Sequence, residues 1–446
     1  MTTADQYVLV TGANSGLGLG TCCRLIDEYL ASPQAENGTL TIIFTTRSAR
    51  KGSETLTALE KHLARHGSSK SDRKIYFQPE NVELTSLLSI RALSRKLFAS
   101  DLPHLNAIVL NAGIGGWSGL NWPLTIWTCL TGIRQATTWP TFKLGLVGLV
   151  TKPQFPQDYF AGEEPVLGEV FCANTFGHYM LVHWLMPLFR ASPAEFPGKI
   201  IWSTSIEACG RHYNPDDHQG LKSSGAYEHT KRLGDLLALT AAQPATAKSV
   251  NEYTTPSLLV AGRSRPEQSE PMFLDSHPGI CTTTIISLFW IVHEFYRLGI
   301  YLARWCGSPW GNVTAYLGAA SATWLALASV TDIQAKKDEA LGATSGGPCK
   351  WGSSVDRLGN SYIRVTDVEG WGLDGTGQPF KDKWWGGSLG RKTGSTDATE
   401  EDVESFVAQG VRVWGKMEAL RTDWEARIEK YEAEHQGESN GHVSES

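Results

Sequence analysis

Short apolar runs alternate with longer segments of helical periodicity along most of the chain. Runs of apolar, often β-branched residues bounded by glycine, proline or polar residues are typical of strands buried in a sheet. They predict strands at 7–11, 39–44, 75–77, 106–110, 199–205 and 272–276, with a further strand at 362–365. Because helix-like segments separate the strands, this order predicts an α/β fold with a parallel sheet and helices on both faces.

Two long segments interrupt this alternation. Residues 117–162 are rich in Trp, Thr and Pro without sustained periodicity. We interpret them as an insertion at the carboxyl edge of the sheet, where ligands bind in such folds. A continuous helix is predicted over 170–189. Residues 244–270 are rich in Pro, Ser and Thr, which predicts irregular structure.

The last part of the chain is predicted to be a helical extension. A cap-like start at Thr399 precedes apolar residues that recur at three- and four-residue steps, which favours a helix packed on the core over one that binds a partner. The polar residues after Glu434 predict a disordered tail. The predicted division is a main domain over 1–368, an extension over 369–434 and a tail over 435–446.

A further amphipathic segment lies at about 284–306. Its apolar run is interrupted by His293, Glu294 and Arg297, too early for a membrane-spanning helix of about 20 apolar residues. Apolar and polar residues instead fall on separate faces at helical spacing. Two interpretations stay open: a lid that only covers the substrate, or a helix that also lies on a membrane surface.

Composition narrows the functional classes. The chain has 446 residues, 41% of them hydrophobic, so it can bury a substantial core. Its net charge of −6 gives no reason to expect nucleic acid as a partner. Its eight cysteines include no Cys-x-x-Cys pair, so neither a disulfide framework nor a metal site is expected. No secretion signal is expected before the first strand, and a reducing, cytosol-facing environment is favoured.

A glycine-rich turn follows the first predicted strand and leads into a helix. Placed between two strands, such a turn is the pattern of a dinucleotide-binding βαβ unit. Glycines let the backbone approach a pyrophosphate, which binds amide N–H groups at the start of the helix. We therefore predict a Rossmann-type, doubly wound sheet. The loop residues assigned to cofactor binding are Gly12, Ser15, Gly16, Leu17 and Gly18.

The end of the second strand indicates which nucleotide binds. An acidic residue there would bind the ribose 2′-hydroxyl, whereas a basic residue accommodates a 2′-phosphate. The chain has Thr46 and Arg47 at this point and no carboxylate, so NADP(H) is favoured over NAD. Arg50 and Lys51 follow, and the start of a solvated helix explains these two equally well. Glu83, after the third strand, is a candidate for the adenine edge.

Tyr227 and Lys231 stand four residues apart in a segment of helical periodicity. This spacing places both side chains on one helix face. An ammonium group beside a phenol favours the phenolate and would lower the pKa of Tyr227, as proton exchange near neutral pH requires. Alone, the pair is common by chance, and two unrelated surface residues would explain it. The motifs around the pair are what favour its functional interpretation.

In this order the motifs resemble those of the short-chain dehydrogenase/reductase superfamily, over about residues 7–368. The matching positions are Thr11, Gly12, Gly16, Gly18, Asn111, Ala112, Gly113, Asn174, Ser205, Tyr227, Lys231, Pro278 and Gly279. Within that superfamily the chain is similar to the fungal 3-keto-sterol reductases of ergosterol biosynthesis. The stretches that carry this narrower resemblance are 141–148, 201–205, 227–233 and 307–312, with the Trp-rich insertion.

The chain also departs from the superfamily pattern. Thr230 and Glu83 stand where many members have Ser and Asp. The gap between the serine motif and Tyr227 is longer than usual, so Ser203 and Thr204 compete with Ser205 as the reacting hydroxyl. We choose Ser205, because it ends the predicted strand as the family's serine does.

The resemblance implies a role for each group near the reacting atoms. NADPH would deliver a hydride to the C3 carbonyl carbon of a 3-keto sterol, with Tyr227 as the proton donor and Ser205 bound to the carbonyl oxygen. Lys231 would lower the pKa of Tyr227 and bind the nicotinamide ribose. Asn174 would hold a water that relays protons to Lys231, although a helix bend would also explain it.

Three further residues are assigned to the cofactor by the resemblance. Cys281 and Thr283 would contact the nicotinamide carboxamide. Asn111 would fix the turn after the fourth strand near the adenosine ribose.

The implied function is NADPH-dependent reduction of a zymosterone-like 3-keto sterol, after C4 demethylation, to the 3β-hydroxy sterol. It implies the cytosolic face of the endoplasmic reticulum membrane, with the lipid droplet as an alternative, and peripheral membrane contact. Other sterol-biosynthesis enzymes are candidate partners. A reductase of another lipid ketone or aldehyde, such as a retinoid or steroid, and a catalytically silent scaffold for sterol enzymes are the alternatives.

Overall fold

The computed structural model describes residues 5–32, 38–66, 73–156, 159, 164–255, 267–282, 290–342, 346–379 and 390–441, excluding the side chains of 436–441. In chain order the strands are β1 (Gln6–Val10), β2 (Thr39–Thr46), β3 (Lys74–Asn81), β4 (Ala107–Leu110), β5 (Trp117–Leu120), β6 (Lys143–Gly145), β7 (Lys199–Ser203), β8 (Met272–His277), β9 (Ile280–Cys281), β10 (Gly311–Val313), β11 (Lys350–Val355) and β12 (Ser361–Thr366). The α-helices are α1 (Gly16–Ala31), α2 (Ala49–Leu63), α3 (Leu87–Ala99), α4 (Trp122–Thr138), α5 (Glu169–Phe171), α6 (Gly177–Trp184), α7 (Met186–Arg190), α8 (Ala226–Thr240), α9 (Ala247–Thr254), α10 (Trp290–Trp305), α11 (Ala315–Gly318), α12 (Ala320–Leu327), α13 (Val330–Leu341) and α14 (Glu400–Gly441).

Eight strands form the central sheet, in the order β12-β11-β8-β7-β4-β1-β2-β3. Every neighbouring pair is parallel except β11 and β12, which are antiparallel. From β1 the chain builds β2 and β3 on one side and β4, β7 and β8 on the other. The strand order therefore reverses between β1 and β4, which is where open parallel sheets bind their ligands. The predicted α/β, Rossmann-type, doubly wound sheet is confirmed.

Burial on both faces explains why most of these strands read as continuous apolar runs. On β1, Val8 and Val10 pack into one core, whereas Leu9 packs into the other, because successive side chains of a strand point to opposite faces. One core includes residues of α1 and α12, and the other includes residues of α3, α6, α8 and α14.

The strand predicted at 362–365 exists as β12, but it is antiparallel and follows a strand that the sequence pattern does not predict. That strand, β11, is entirely buried although it carries Lys350, Gly352, Ser353 and Ser354. Most of these polar groups have partners inside the fold; the Ser353 hydroxyl, for example, donates to the carbonyl of Gly318 at 2.6 Å. A strand whose polar groups are satisfied in the interior shows no apolar run.

Three predictions about the segments outside the sheet need correction. The insertion contains the two-stranded β5–β6 hairpin and the helix α4, which bends at Gly132. The helix predicted over 170–189 is divided into α5, a π-helical turn at Cys172–Phe176, α6 and α7. Within 244–270, which we expected to be irregular, a 3₁₀ turn is followed by α9.

The C-terminal helix α14 starts at the predicted cap. The Thr399 hydroxyl accepts from the N–H of Asp402 at 3.2 Å, and the Asp402 carboxylate accepts from the N–H of Thr399 at 2.9 Å. Trp414 and Trp424 are buried in the same core as residues of α8, as expected for a packing helix. The helix continues to Gly441, so the expected tail starts later than 435, and 442–446 lie outside the described residues.

Candidate active site

A cavity of about 470 Å³ opens at the carboxyl ends of β1, β4 and β7. Its lining brings together most of the residues that the sequence assigns to a site. These are Gly12, Ser15, Gly16, Leu17, Thr46, Arg47, Glu83, Asn111, Ser205, Tyr227, Lys231 and Cys281. Gly18 and Asn174 lie outside that lining, and Thr283 lies outside the described residues.

The glycine turn leaves room for a dinucleotide at the start of α1. Gly12 and Gly16 have φ angles of +69° and +55°, which side-chain-bearing residues rarely adopt. A Cβ atom on Gly18 would lie 2.4 Å from the Gly12 carbonyl oxygen, so this third glycine allows α1 to pack on the turn, and its assignment to the cofactor stays a prediction. Because Ser15, Gly16 and Leu17 at the start of α1 line the cavity, the turn fits a pyrophosphate.

Asn111 holds the glycine turn from the neighbouring strand end. Its side-chain amide donates to the carbonyl of Thr11 at 2.9 Å, and its backbone N–H donates to the Thr11 hydroxyl at 2.9 Å. This agrees with the turn-fixing role expected of Asn111.

Arg47 is exposed at the rim of the cavity, directly after β2. Arg50 instead forms an ion pair with Glu54 one turn further along α2, which fits the alternative that it belongs to a solvated helix. Arg47 is thus the better placed of the two arginines to meet a 2′-phosphate. After the neighbouring strand β3, the Glu83 carboxylate accepts from the N–H and hydroxyl of Thr85.

Tyr227 and Lys231 lie on one face of α8, as the spacing predicts, but the electrostatics differ from the expectation. The Lys231 ammonium is 5.4 Å from the Tyr227 ring centre and donates to the carbonyl of Ser203 at 2.6 Å. Burial, reinforced by the nearby carboxylates of Glu207 and Glu228, raises the pKa of Tyr227. The expected lowering by Lys231 is therefore outweighed, and the phenol is held protonated.

The three candidate hydroxyls at the end of β7 have different surroundings, and that of Ser203 is buried without a hydrogen-bond partner among the described residues. β7 ends at Ser203, two residues before the position that we expected. The Thr204 hydroxyl donates to Asp275 at 2.6 Å, beneath the cavity. The Ser205 hydroxyl lies close enough to the phenol to oppose the rise in the pKa of Tyr227. Of the three, Ser205 is therefore the hydroxyl in contact with the phenol.

Asn174 lies in the π-helical turn and connects two walls of the site. Its side-chain oxygen accepts from the N–H of Ile114 at 2.8 Å, and its NH₂ group donates to the carbonyl of Ile114 and to the Thr230 hydroxyl, at 3.0 and 3.1 Å. Thr230 in turn donates to the carbonyl of Tyr227 at 2.7 Å. These contacts make Asn174 a positioning residue for α8, and its expected water-relay role stays a prediction.

A buried ionic network lies directly below Ser205 and Lys231. The Lys350 ammonium donates to the Ser205 carbonyl at 2.9 Å and to the Asp235 carboxylate at 2.7 Å. Burial and the Asp235 charge raise the pKa of Asp275, which favours the protonated form of that carboxyl. Burial and the Lys350 charge lower the pKa of Lys231 to about 8.

The insertion supplies the front wall of the site. Trp117 of β5 packs on Tyr227 with ring centres 4.7 Å apart. Lys143 of β6 is buried and pairs with Glu228 at 2.5 Å and with Glu207. Its ammonium lies 4.3 Å from the Trp117 ring centre. The predicted position of the insertion, at the ligand-binding edge of the sheet, agrees with these contacts.

Sequence reasoning did not assign Lys143, Glu207 or Lys350 to the site. Lys143 lies in 141–148, one of the stretches that carry the narrower resemblance. A charged residue inside that shared stretch was the signal that could have assigned Lys143 to the site. Glu207 and Lys350 carry no comparable signal, because their roles depend on which strands become neighbours.

Comparison with known proteins agrees with this geometry. No protein-family model matches the chain. The chain is 43% identical to a 3-keto-steroid reductase of Aspergillus fumigatus, over 98% of both chains, and 36% identical to one of Gibberella zeae, over 94% of both. The chain belongs to the family of 3-keto-steroid reductases. A member from Schizosaccharomyces pombe is 28% identical over 82% of this chain and 91% of its own.

The resemblance inferred from the motifs is thus confirmed, and the chain is an oxidoreductase with a nicotinamide cofactor. Among solved structures it is similar to a short-chain type dehydrogenase/reductase from Mycobacterium ulcerans, which is 17% identical. That similarity covers 73% of this chain and 84% of the other, with a TM-score of 0.39.

The buried pair of Lys350 and Asp235 should contribute strongly to the stability of the fold. We expect Lys350→Met to lower the free energy of unfolding by about 3–5 kcal/mol, because it leaves a buried carboxylate without its counter-charge. Adding Asp235→Asn should restore part of this loss, since a neutral amide needs no counter-charge. Chemical denaturation of the full chain measures both.

Lys336→Met is the matched control, because Lys336 pairs with Glu339 on the exposed side of α13 and should cost far less. Equal losses for Lys336→Met and Lys350→Met would contradict a structural role for the buried pair.

Proposed function

We propose that the chain reduces the C3 ketone of a 3-keto sterol to the 3β-hydroxy sterol, with NADPH as the reductant. The observation that carries the proposal is the placement of Tyr227, Ser205 and Lys231 on the wall of one cavity that begins at the glycine turn. The substrate class is suggested by the family's reductases of 3-keto steroids. Within it we propose a 4-desmethyl, zymosterone-like sterol.

NADPH fits the glycine turn and the exposed Arg47 and, when bound, supplies the hydride. Ser205 donates a hydrogen bond to the ketone oxygen, and this bond strengthens as negative charge develops there. Tyr227 gives its proton to the same oxygen. A phenol whose pKa is raised is protonated at neutral pH, which is the state that an acid needs before a reduction.

Lys231 assists Tyr227 through its positive charge. Its bond to the Ser203 carbonyl fixes its ammonium beside the phenol ring, where its positive charge stabilises the tyrosinate left after proton transfer. We propose that it also binds the nicotinamide ribose. Cys281 lines the same cavity and is proposed to face the carboxamide, as Glu83 is proposed to face the adenine.

The acid assignment is tested with Tyr227→Phe, by following NADPH absorbance with a 4-desmethyl 3-keto sterol in detergent. We expect a loss of turnover of at least about 100-fold, because general acid catalysis contributes roughly that much or more. NADPH binding, measured by fluorescence, should be retained.

Tyr213→Phe is the matched control and should keep its activity, because Tyr213 stacks on His229 outside the cavity. Turnover above a few per cent in Tyr227→Phe would contradict the acid role. No sterol turnover in the wild type, with NADPH still bound, would instead favour another lipid carbonyl or a scaffold.

Cofactor choice is tested with Arg47→Asp. Loss of the positive charge beside a 2′-phosphate should weaken NADPH binding by at least about tenfold, and NADH binding much less. Arg50→Asp is the matched control, and we expect it to leave both dissociation constants nearly unchanged. Equal weakening of NADPH and NADH in Arg47→Asp would show that Arg47 does not read the phosphate.

We also propose a peripheral membrane contact, on the cytosolic face of the endoplasmic reticulum or on lipid droplets. Among the helices described, none is both long and apolar enough to cross a membrane. The helices α4 and α10 pack on each other, with Gly299 facing Ile133 and Thr137. The outward apolar side chains of the pair are Trp122, Ile126, Trp127, Leu130, Trp290, Phe295, Leu298, Leu302 and Trp305.

This apolar surface adjoins the cavity, because His293 and Tyr296 of α10 are among the residues that line the cavity. Several exposed tryptophans on two helices in contact suit the interfacial region of a bilayer. A sterol could then pass from lipid to the site without crossing water. The lid expected over 284–306 and the membrane helix would be two faces of one element, of which 290–305 is described.

Flotation with phosphatidylcholine vesicles tests the contact. We expect Trp127→Glu combined with Phe295→Glu to weaken vesicle binding by at least about tenfold, because two aromatic anchors become charged. Tyr76→Glu, an exposed aromatic of the edge strand β3, should bind like the wild type. Wild-type protein that stays unbound, or a double variant that floats equally well, would contradict the contact.

A further inference from the structure

Two helices of the cofactor-binding half carry a cluster of metal-binding residue types away from the cavity. Asp27 lies on α1, His62 lies in the last turn of α2, and His66 ends the 3₁₀ turn that follows. The Nε2 atoms of both histidines lie 2.7 Å from the same carboxylate oxygen, Oδ1 of Asp27. All three donor atoms lie within 4.8 Å of one another.

The chain positions each of these groups. His62 and His66 are four residues apart, which places both imidazoles on one side of the α2 end. The other oxygen of Asp27 accepts from the Tyr316 hydroxyl at 2.6 Å, so α11 fixes the carboxylate from behind. A hydrogen-bonded partner of this kind orients a metal-binding carboxylate.

The donor set selects the kind of ion. Two imidazole nitrogens and one carboxylate oxygen are typical ligands of Zn²⁺, which binds them at about 2.0–2.2 Å and accepts water as a fourth ligand. Mg²⁺ and Ca²⁺ prefer sites made of oxygen alone. Hydrogen bonds among the three side chains would also join the helices without a metal. A cluster held only by hydrogen bonds, however, would show no preference for Zn²⁺ over Mg²⁺ or Ca²⁺.

We propose that Asp27, His62 and His66 form a zinc site that braces α1 against α2, with water as the fourth ligand. Both helices begin at the cofactor cavity: α1 at the glycine turn, and α2 directly after Arg47 and Ser48. Their far ends are joined by this cluster, and Tyr316 adds α11 to the junction. The role is structural, and it does not depend on the reaction proposed above.

The test is zinc binding by the full chain, produced without a histidine tag and treated with EDTA. Titration calorimetry should give one Zn²⁺ per chain, and zinc should raise the thermal midpoint, whereas Mg²⁺ should do neither. His62→Gln combined with His66→Gln should weaken zinc binding at least tenfold. His435→Gln, a histidine outside the cluster, should bind zinc like the wild type.

Substitution by Co²⁺ identifies the ligands. Nitrogen and oxygen ligands should give the d–d bands of a bound cobalt ion without a thiolate charge-transfer band. A thiolate band would place the ion on one of the cysteines and overturn the assignment. Zinc binding that is absent in the wild type, or unchanged in the double histidine variant, would overturn it as well.

Asp27→Asn separates binding from folding. It keeps the shape of the side chain but removes the charge, so zinc affinity should fall at least tenfold while circular dichroism stays that of the folded wild type. Unchanged affinity in this folded variant would also contradict the site.

Discussion

The ammonium group of Lys350 fixes the geometry on which the active site depends. It bonds both to the Ser205 carbonyl, beyond the end of β7, and to Asp235 on α8. Asp235 lies eight residues after Tyr227, two turns along the same helix. The proposed hydrogen-bond donor and the proposed proton donor are thus held at a fixed separation by one buried cation. Because leaving a buried charge without its partners is costly, these contacts restrain that separation.

The insertion, which forms the front wall of the site, also contacts the segments that carry Ser205 and Tyr227. Lys143 is buried against Glu207, which follows the Ser205 turn, and against Glu228, which follows Tyr227. Burial raises the pKa of Glu207 itself to about 7, and the electrostatic effect of Glu207 and Glu228 on the neighbouring phenol disfavours the tyrosinate. A segment that looks like an appendage to the sheet therefore helps to set the protonation state of its central residue.

Much of the sheet was predictable, because β1, β2, β4, β7 and β8 are buried on both faces and read as apolar runs. β11 was not, since its polar residues find partners only after the strands β8 and β12 have become its neighbours. The residues of the site divide in the same way into those that the sequence predicts and those that it does not. Local turns and spacings indicated Gly12, Arg47, Tyr227 and Lys231, whereas Lys350 and Glu207 depend on tertiary contacts that spacing does not encode.

The direction of the shift at Tyr227 shows why a motif alone gives an incomplete mechanism. The Tyr-x-x-x-Lys spacing correctly places an ammonium beside a phenol, and in water that pair would favour the tyrosinate. In the folded chain the phenol is desolvated and faces Glu207 and Glu228, while the ammonium is bound to the Ser203 carbonyl. Burial therefore keeps the proton on Tyr227 until an oxygen more basic than the phenol forms beside it. In the proposed reaction a ketone becoming an alkoxide would provide that oxygen, so the same burial that raises the pKa would restrict proton transfer to the reductive step.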